Sequence, residues 1–203
     1  MPTASLNAFL KIVSKNSPQK ASEYGRYLTP GGYDFYWSLK DASRALTVGG
    51  EAFEECCKTI LKIKRPPERK HNLSGLKSLE KWATKIEASG FFASPVAQHS
   101  SPAGYLTIKI EPTFGYLSGG KRRLVHLWAS QTLSLPRNVA GCGLYLMKEH
   151  ICTGEFEDCV PAILDLRKRE LFVADKLPPM TAAMLASELA WADSFFATVA
   201  KAA

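Results

Sequence analysis

The sequence predicts an α+β protein in which an N-terminal helical part packs with a small mixed β-sheet flanked by later helices. Two observations carry this. From Leu6 to Trp82 the apolar residues recur at helical spacing, whereas beyond Gly90 they alternate as in strands with one buried face. The last twenty or so residues, Thr181 to Ala200, return to an apolar helical pattern. A chain of 203 residues suffices for one large domain or two small ones. The change of period divides it into a helical part, 1–90, which holds the basic segment, and an α+β part, 91–203, with two hairpins and the last helix. The two parts also fit one compact domain.

In chain order, Asn7 to Val13 forms a short amphipathic helix, and Ser17-Pro18 opens the next, with proline near its first position. Thr29-Pro30-Gly31-Gly32 is a breaker. Phe35, Tyr36, Leu39, Ala42, Ser43 and Leu46 then trace a helix from about Tyr33 to Leu46, ended by Gly49-Gly50. Phe53, Cys56, Cys57, Ile60 and Leu61 mark a further helix to about Ile63, with Glu51, Glu54 and Glu55 at its start. The two prolines of Lys64 to His71 predict a stiff, non-helical basic connector. A helix from about Ser74 to Glu87 follows, with Lys77, Lys81 and Lys85 on one stripe.

Gly90 to Gly104, rich in Ser, Pro and Ala, reads as a surface loop and as the subdomain boundary. Leu106, Ile108 and Ile110 alternate with polar neighbours as a strand; Pro112 interrupts it, and Phe114 to Leu117 resumes. Ser118-Gly119-Gly120-Lys121 is a hairpin turn into Arg122 to Ala129, which is apolar on both faces and so belongs mid-sheet. Ser134 and Pro136 open a helix to about Ile151, where Gly141 and Gly143 imply close packing. Ala162 to Leu166, a turn at Arg167 to Glu170, and Leu171 to Val173 make a second hairpin.

No apolar run approaches the roughly 20 residues of a membrane span, and the N-terminus lacks the pattern of a signal peptide, so a cytoplasmic protein is expected. Five cysteines without a CxxC pair fit reduced thiols, Cys142 being a small core residue.

Charge is the most informative feature. Between Lys58 and Lys85 stand Lys58, Lys62, Lys64, Arg65, Arg69, Lys70, Lys77, Lys81 and Lys85 against only Glu68 and Glu80, a local surplus equal to the formal +7 of the whole chain. Focused positive charge suits an anionic partner, nucleic acid above all, with counterion release as the driving term. Trp82 is the only aromatic residue nearby in sequence, so contacts to the backbone are expected to dominate. The competing reading is a solvated, solubilising face. Lys121-Arg122-Arg123 and Arg167-Lys168-Arg169, at the two hairpin tips, would extend the positive surface if both tips point the same way.

Complete catalytic signatures are absent: no GxSxG elbow and no phosphate-binding glycine loop. Glu149, His150, Cys152, Glu155, Glu157, Asp158 and Cys159 crowd together without a zinc spacing, and no cofactor is expected. His126, within an apolar strand, reads first as a buried, hydrogen-bonded histidine.

The element order from Ser74 to Val173 (helix, strand, strand, helix, strand hairpin), with Leu106 to Ile110, Leu124 to Trp128 and Val139 to Met147, resembles the PD-(D/E)xK nuclease core of its RecB-like branch. In that family one strand carries an Asp, the next [DE]xK, and a following helix a Gln and a Tyr; carboxylates hold a divalent metal and the Lys assists the attacking water. The resemblance places Glu111 near the first acid and Tyr145 at the helix tyrosine. Where [DE]xK belongs, the chain reads His126-Leu127-Trp128, and no Lys, Asp or Glu occurs from Leu124 to Asn138. It therefore implies a nuclease-like scaffold that has lost its metal site.

The functional expectation is non-enzymatic binding of a polyanion through Lys58 to Lys85. One alternative is a divergent metal-dependent nuclease using Glu111, His126 and Asp165. Another is a protein-interaction or homodimer module, presenting Phe35, Tyr36 and Trp37 or the C-terminal helix with Phe195 and Phe196. No membrane partner is expected.

Overall fold

In the computed structural model, residues 2–29 and 32–202 are described. Strand β1 (Thr3–Ser5) leads into α1 (Leu6–Val13), whose first turn is capped by Ser5 accepting from the Ala8 N–H. Asn16 caps α2 (Ser17–Gly25), with Pro18 in its first turn. The Pro30-Gly31 breaker lies outside the described residues. Helix α3 (Trp37–Thr47) begins four residues later than the periodicity predicts, because Tyr33 to Tyr36 form an irregular approach. Gly50, at φ +66°, closes the turn into α4 (Phe53–Leu61).

The stretch 64–71 departs most from its sequence reading. Helix α5 runs from Pro66 to Ala83, so all of the expected connector after Lys64 and Arg65 is helical. Pro66 and Pro67 occupy the opening positions, where a helix needs no N–H and a fixed φ favours the first turn. The prolines start the helix instead of breaking it.

The second correction concerns residues 90–104, which hold two strands, β2 (Gly90–Phe92) and β3 (Ala97–Ser100). They are followed by β4 (Thr107–Ile110), β5 (Phe114–Ser118), β6 (Lys121–Trp128), α6 (Arg137–His150), β7 (Val160–Asp165), β8 (Glu170–Val173) and α7 (Thr181–Ala202).

Two mixed sheets result. A three-stranded sheet has the order β1-β4-β3, with β1 parallel to β4, and a five-stranded sheet has the order β2-β5-β6-β7-β8. At Glu111-Pro112-Thr113 the chain leaves the smaller sheet for the larger one, so the interrupted strand is two strands in two sheets. In the larger sheet β2, β5 and β6 are antiparallel neighbours, α6 crosses over to β7 parallel to β6, and β8 returns as a hairpin. Strand β6 occupies the centre, as its two apolar faces require.

Those faces belong to different cores. Val125 and Leu127 pack with Leu39, Ile60, Leu76 and Trp82 of α3, α4 and α5. Leu124 and Trp128 pack with residues of α1, α6, α7 and the smaller sheet. On that second face Gly143 lets α6 come close, since a Cβ there would stand 2.8 Å from Ile163 and 2.9 Å from Leu10. The aromatic residues of α7 are largely spent on α2, with Tyr24 against Trp191, Phe195 and Phe196. Among the described residues no helix is long and apolar enough to cross a membrane.

Candidate nucleic-acid interface

The basic segment is carried by α4, the turn after it and α5. Lys58, Lys62, Lys64, Arg65, Lys70, Lys77, Lys81 and Lys85 are exposed, and Arg69 is half-buried with its guanidinium 3.4 Å from the Ile63 carbonyl. Only Lys58 has an ion pair among the described residues, with Glu55 at 2.5 Å. The other eight have no carboxylate within salt-bridge distance among the described residues.

Because α5 starts at Pro66, Lys70, Lys77 and Lys81 share one helix. At 3.6 residues per turn they fall within an arc of about 40° and span about 16 Å along the axis. This row faces solvent, opposite the buried Leu76, Leu79 and Trp82. Glu68, one of the two acids in the segment, is buried and accepts from the Tyr33 hydroxyl, so it is withdrawn from that surface.

Trp82, the aromatic residue expected nearest to the cations, packs against Phe114 and Tyr116 and is unavailable for stacking. An aromatic partner comes instead from the segment before α3: the Arg65 guanidinium lies 4.8 Å from the centre of the Tyr33 ring. Asn72 fixes that segment by donating to the Phe35 carbonyl at 2.9 Å. The pairing joins residues 32 positions apart and has no local sequence signal.

The two basic hairpin tips point to opposite ends of the larger sheet. Strands β6 and β7 are parallel, Arg123 lying beside Val160 and Trp128 beside Asp165, so Lys121 opens one end and Arg167 to Arg169 follow the other. They do not form one continuous patch by themselves. Arg122 is moreover engaged by Asp158 at 2.6 Å and the Glu155 carbonyl at 2.9 Å.

Glu111, His126 and Asp165 lie on neighbouring segments, yet their functional groups are turned to different partners. The Glu111 carboxylate meets Arg44 and Lys109, each at 2.8 Å. Burial alone would raise its pKa, but the two cations outweigh burial and hold it below the usual carboxylate value. His126 Nδ1 lies 3.1 Å from the Glu111 backbone carbonyl. A carbonyl only accepts, so the neutral ring carries its hydrogen on Nδ1 and leaves Nε2 as a buried acceptor without a partner. Burial, with Lys40 nearby, pushes the His126 pKa down to about 4. Asp165 Oδ1 accepts from the Arg167 and Lys168 N–H groups at 2.9 and 3.1 Å, which fixes the hairpin turn.

Among the described residues no three His, Cys, Asp or Glu side chains gather as metal donors would. The crowded stretch from Glu149 to Cys159 is no exception, and burial pushes the Cys152 thiol up to about 11. No protein-family model matches the chain, and no curated protein sequence matches it.

Proposed function

We propose that the protein binds a polyanion, nucleic acid in particular, through the α4–α5 face, and does so on a nuclease-like scaffold without a metal site. One observation carries the reading: eight of the nine cations between Lys58 and Lys85 have no ion pair among the described residues, and three of them share one exposed stripe of α5. A merely solubilising surface gains most from interspersed signs, whereas a single-sign row at helical spacing suits a phosphate backbone. The scaffold is supported by the five-stranded sheet, where the segment after Glu111 and the next strand pair antiparallel and α6 crosses to a parallel neighbour. The turning of Glu111 toward Arg44 and Lys109 supports binding over hydrolysis. Five free cysteines support a reducing compartment such as the cytoplasm.

Fluorescence anisotropy of labelled single- and double-stranded DNA, without metal and over a salt series, tests the reading. Binding should weaken steeply with salt, and neutralising Lys64, Arg65, Arg69 and Lys70 together should abolish it while circular dichroism stays unchanged. Unchanged affinity in that variant would sink the proposal.

A further inference from the structure

Beside the start of α5 the surface opens into a groove of 440 Å³, within the range of small-ligand sites, about 300–1,000 Å³. Its walls are aromatic: Tyr27, Tyr33, Phe35, Tyr36 and Trp128 all contribute. Polar groups punctuate them, among them Ser5, Ser130 and Thr132, and Asn7 Oδ1 has no hydrogen-bond partner. A second depression of 560 Å³ shares Lys11, Tyr27 and Tyr33 with the first, so the two are neighbours on one surface.

Charge at the rim is positive. Lys11 is exposed with no ion pair among the described residues, and Arg65 stands over Tyr33. Asp34 is the one carboxylate among the described residues lining the first groove, and Lys40 neutralises it at 2.6 Å. In the second, Glu23 is met by Lys15 and by Arg26.

Two of the aromatic side chains here, one in the groove wall and one next to it, are spent on no core. Tyr33 is 62% exposed and Trp37, which opens α3 directly after the groove-lining segment, is 63% exposed. Exposed aromatic rings with a cation at hand, as Arg65 is at Tyr33, are the elements from which single-strand binding surfaces are built: the cations follow phosphates and the rings stack on bases. Duplex DNA hides its base faces and would leave these rings without a partner.

We infer that the ligand of this face is a single-stranded nucleic acid, its backbone along the cations at the start of α5 and its unpaired bases on Tyr33 and Trp37 and in the aromatic groove. The inference rests on the polyanion reading above and assigns the ligand class of that surface.

The test compares three labelled 12-mers by anisotropy: oligothymidylate, its duplex with oligoadenylate, and an abasic strand with the same phosphates. Oligothymidylate should bind at least about tenfold tighter than the other two. Tyr33→Ala and Trp37→Ala should each weaken it roughly 5- to 150-fold at an unchanged salt slope. Tyr33→Phe, which keeps the ring, should retain affinity. An oligouridylate arm with the same sensitivity to Tyr33→Ala would be the same support from RNA. Equal binding of the abasic and base-bearing strands, or a duplex bound as tightly as the single strand, would overturn the inference yet leave the polyanion reading standing. Failure of all three probes to bind at low salt would remove both.

Discussion

Asn72 of α5 caps α3 from across the helix interface: the Leu39 N–H, in the first turn of α3, donates to Asn72 Oδ1 at 3.0 Å. Tyr36, at the start of α3, supplies no side-chain cap of its own. The same amide donates to the Phe35 and Glu68 carbonyls at 2.9 and 2.8 Å. One buried side chain thus satisfies a helix end and ties the aromatic segment to the basic helix.

Replacing Asn72 with Leu, close in volume, strands the Leu39 N–H and the Phe35 carbonyl away from water. The expected loss is about 2–3 kcal/mol, read as a lower urea midpoint at constant slope. Asn72→Asp keeps the acceptor for Leu39 and should lie between the two. An unchanged midpoint for Asn72→Leu would show that water takes over both groups.

His126 makes stability depend on pH in a defined window. Its folded pKa of about 4 lies below the ordinary histidine value of 6.5, because burial, then Lys40, disfavours the charged ring. From pH 6.5 down to about 4 the unfolded chain takes up a proton that the folded ring refuses. The contribution is therefore complete above pH 6.5, falls through that window and levels off below it. The loss is on the order of 3 kcal/mol. Denaturation midpoints at pH 7, 5.5 and 4.5 should fall less in His126→Asn than in the wild type; parallel profiles would place the dependence elsewhere.

Gly115 of β5 gives up the space that the Phe92 ring of edge strand β2 fills. A methyl group at position 115 collides with that ring, which also receives Arg122 at 5.0 Å. Gly115→Ala should destabilise by about 1–3 kcal/mol, with the loss of amide protection concentrated in β2. Truncating the ring in Gly115→Ala/Phe92→Leu should restore part of it. A second change that only adds to the loss would mean that the clash is relieved by backbone movement.

These residues also show where the sequence speaks and where it is silent. Strand β6 is legible because Leu124, Val125, Leu127 and Trp128 leave no polar face, which only a central position tolerates. The Gly143 approach is legible because a mid-helix glycine costs stability unless something packs on it. Pro66-Pro67 misleads, since the same dipeptide breaks a helix interior and opens a helix start. Strands β2 and β3 escape notice because each lies at a sheet edge, is three or four residues long, and carries no apolar alternation in its sequence, Gly-Phe-Phe in one and Ala-Gln-His-Ser in the other. The meeting of Tyr33 with Arg65 and Glu68 is tertiary throughout, and nothing local in the sequence announces it.

The stripe Lys70, Lys77 and Lys81 yields a quantitative expectation. Each lysine that neutralises one phosphate releases condensed counterions, steepening the dependence of log K on log salt by about 0.7 per contact on a single strand and about 0.9 on a duplex. Changing all three to Gln should therefore flatten the slope by about 2–3 and weaken binding at low salt. Their exposure means that the fold should survive, which an unchanged urea midpoint would verify. Lys148→Gln serves as the control, for Lys148 is equally exposed but stands on α6, whose core lies on the other face of the larger sheet. Loss of affinity without a change of slope would mean that the lysines act on structure; a flattened slope in the Lys148 control would mean that charge acts from anywhere on the surface. Only a slope that falls with the α5 stripe and holds with Lys148 places the phosphates along that helix.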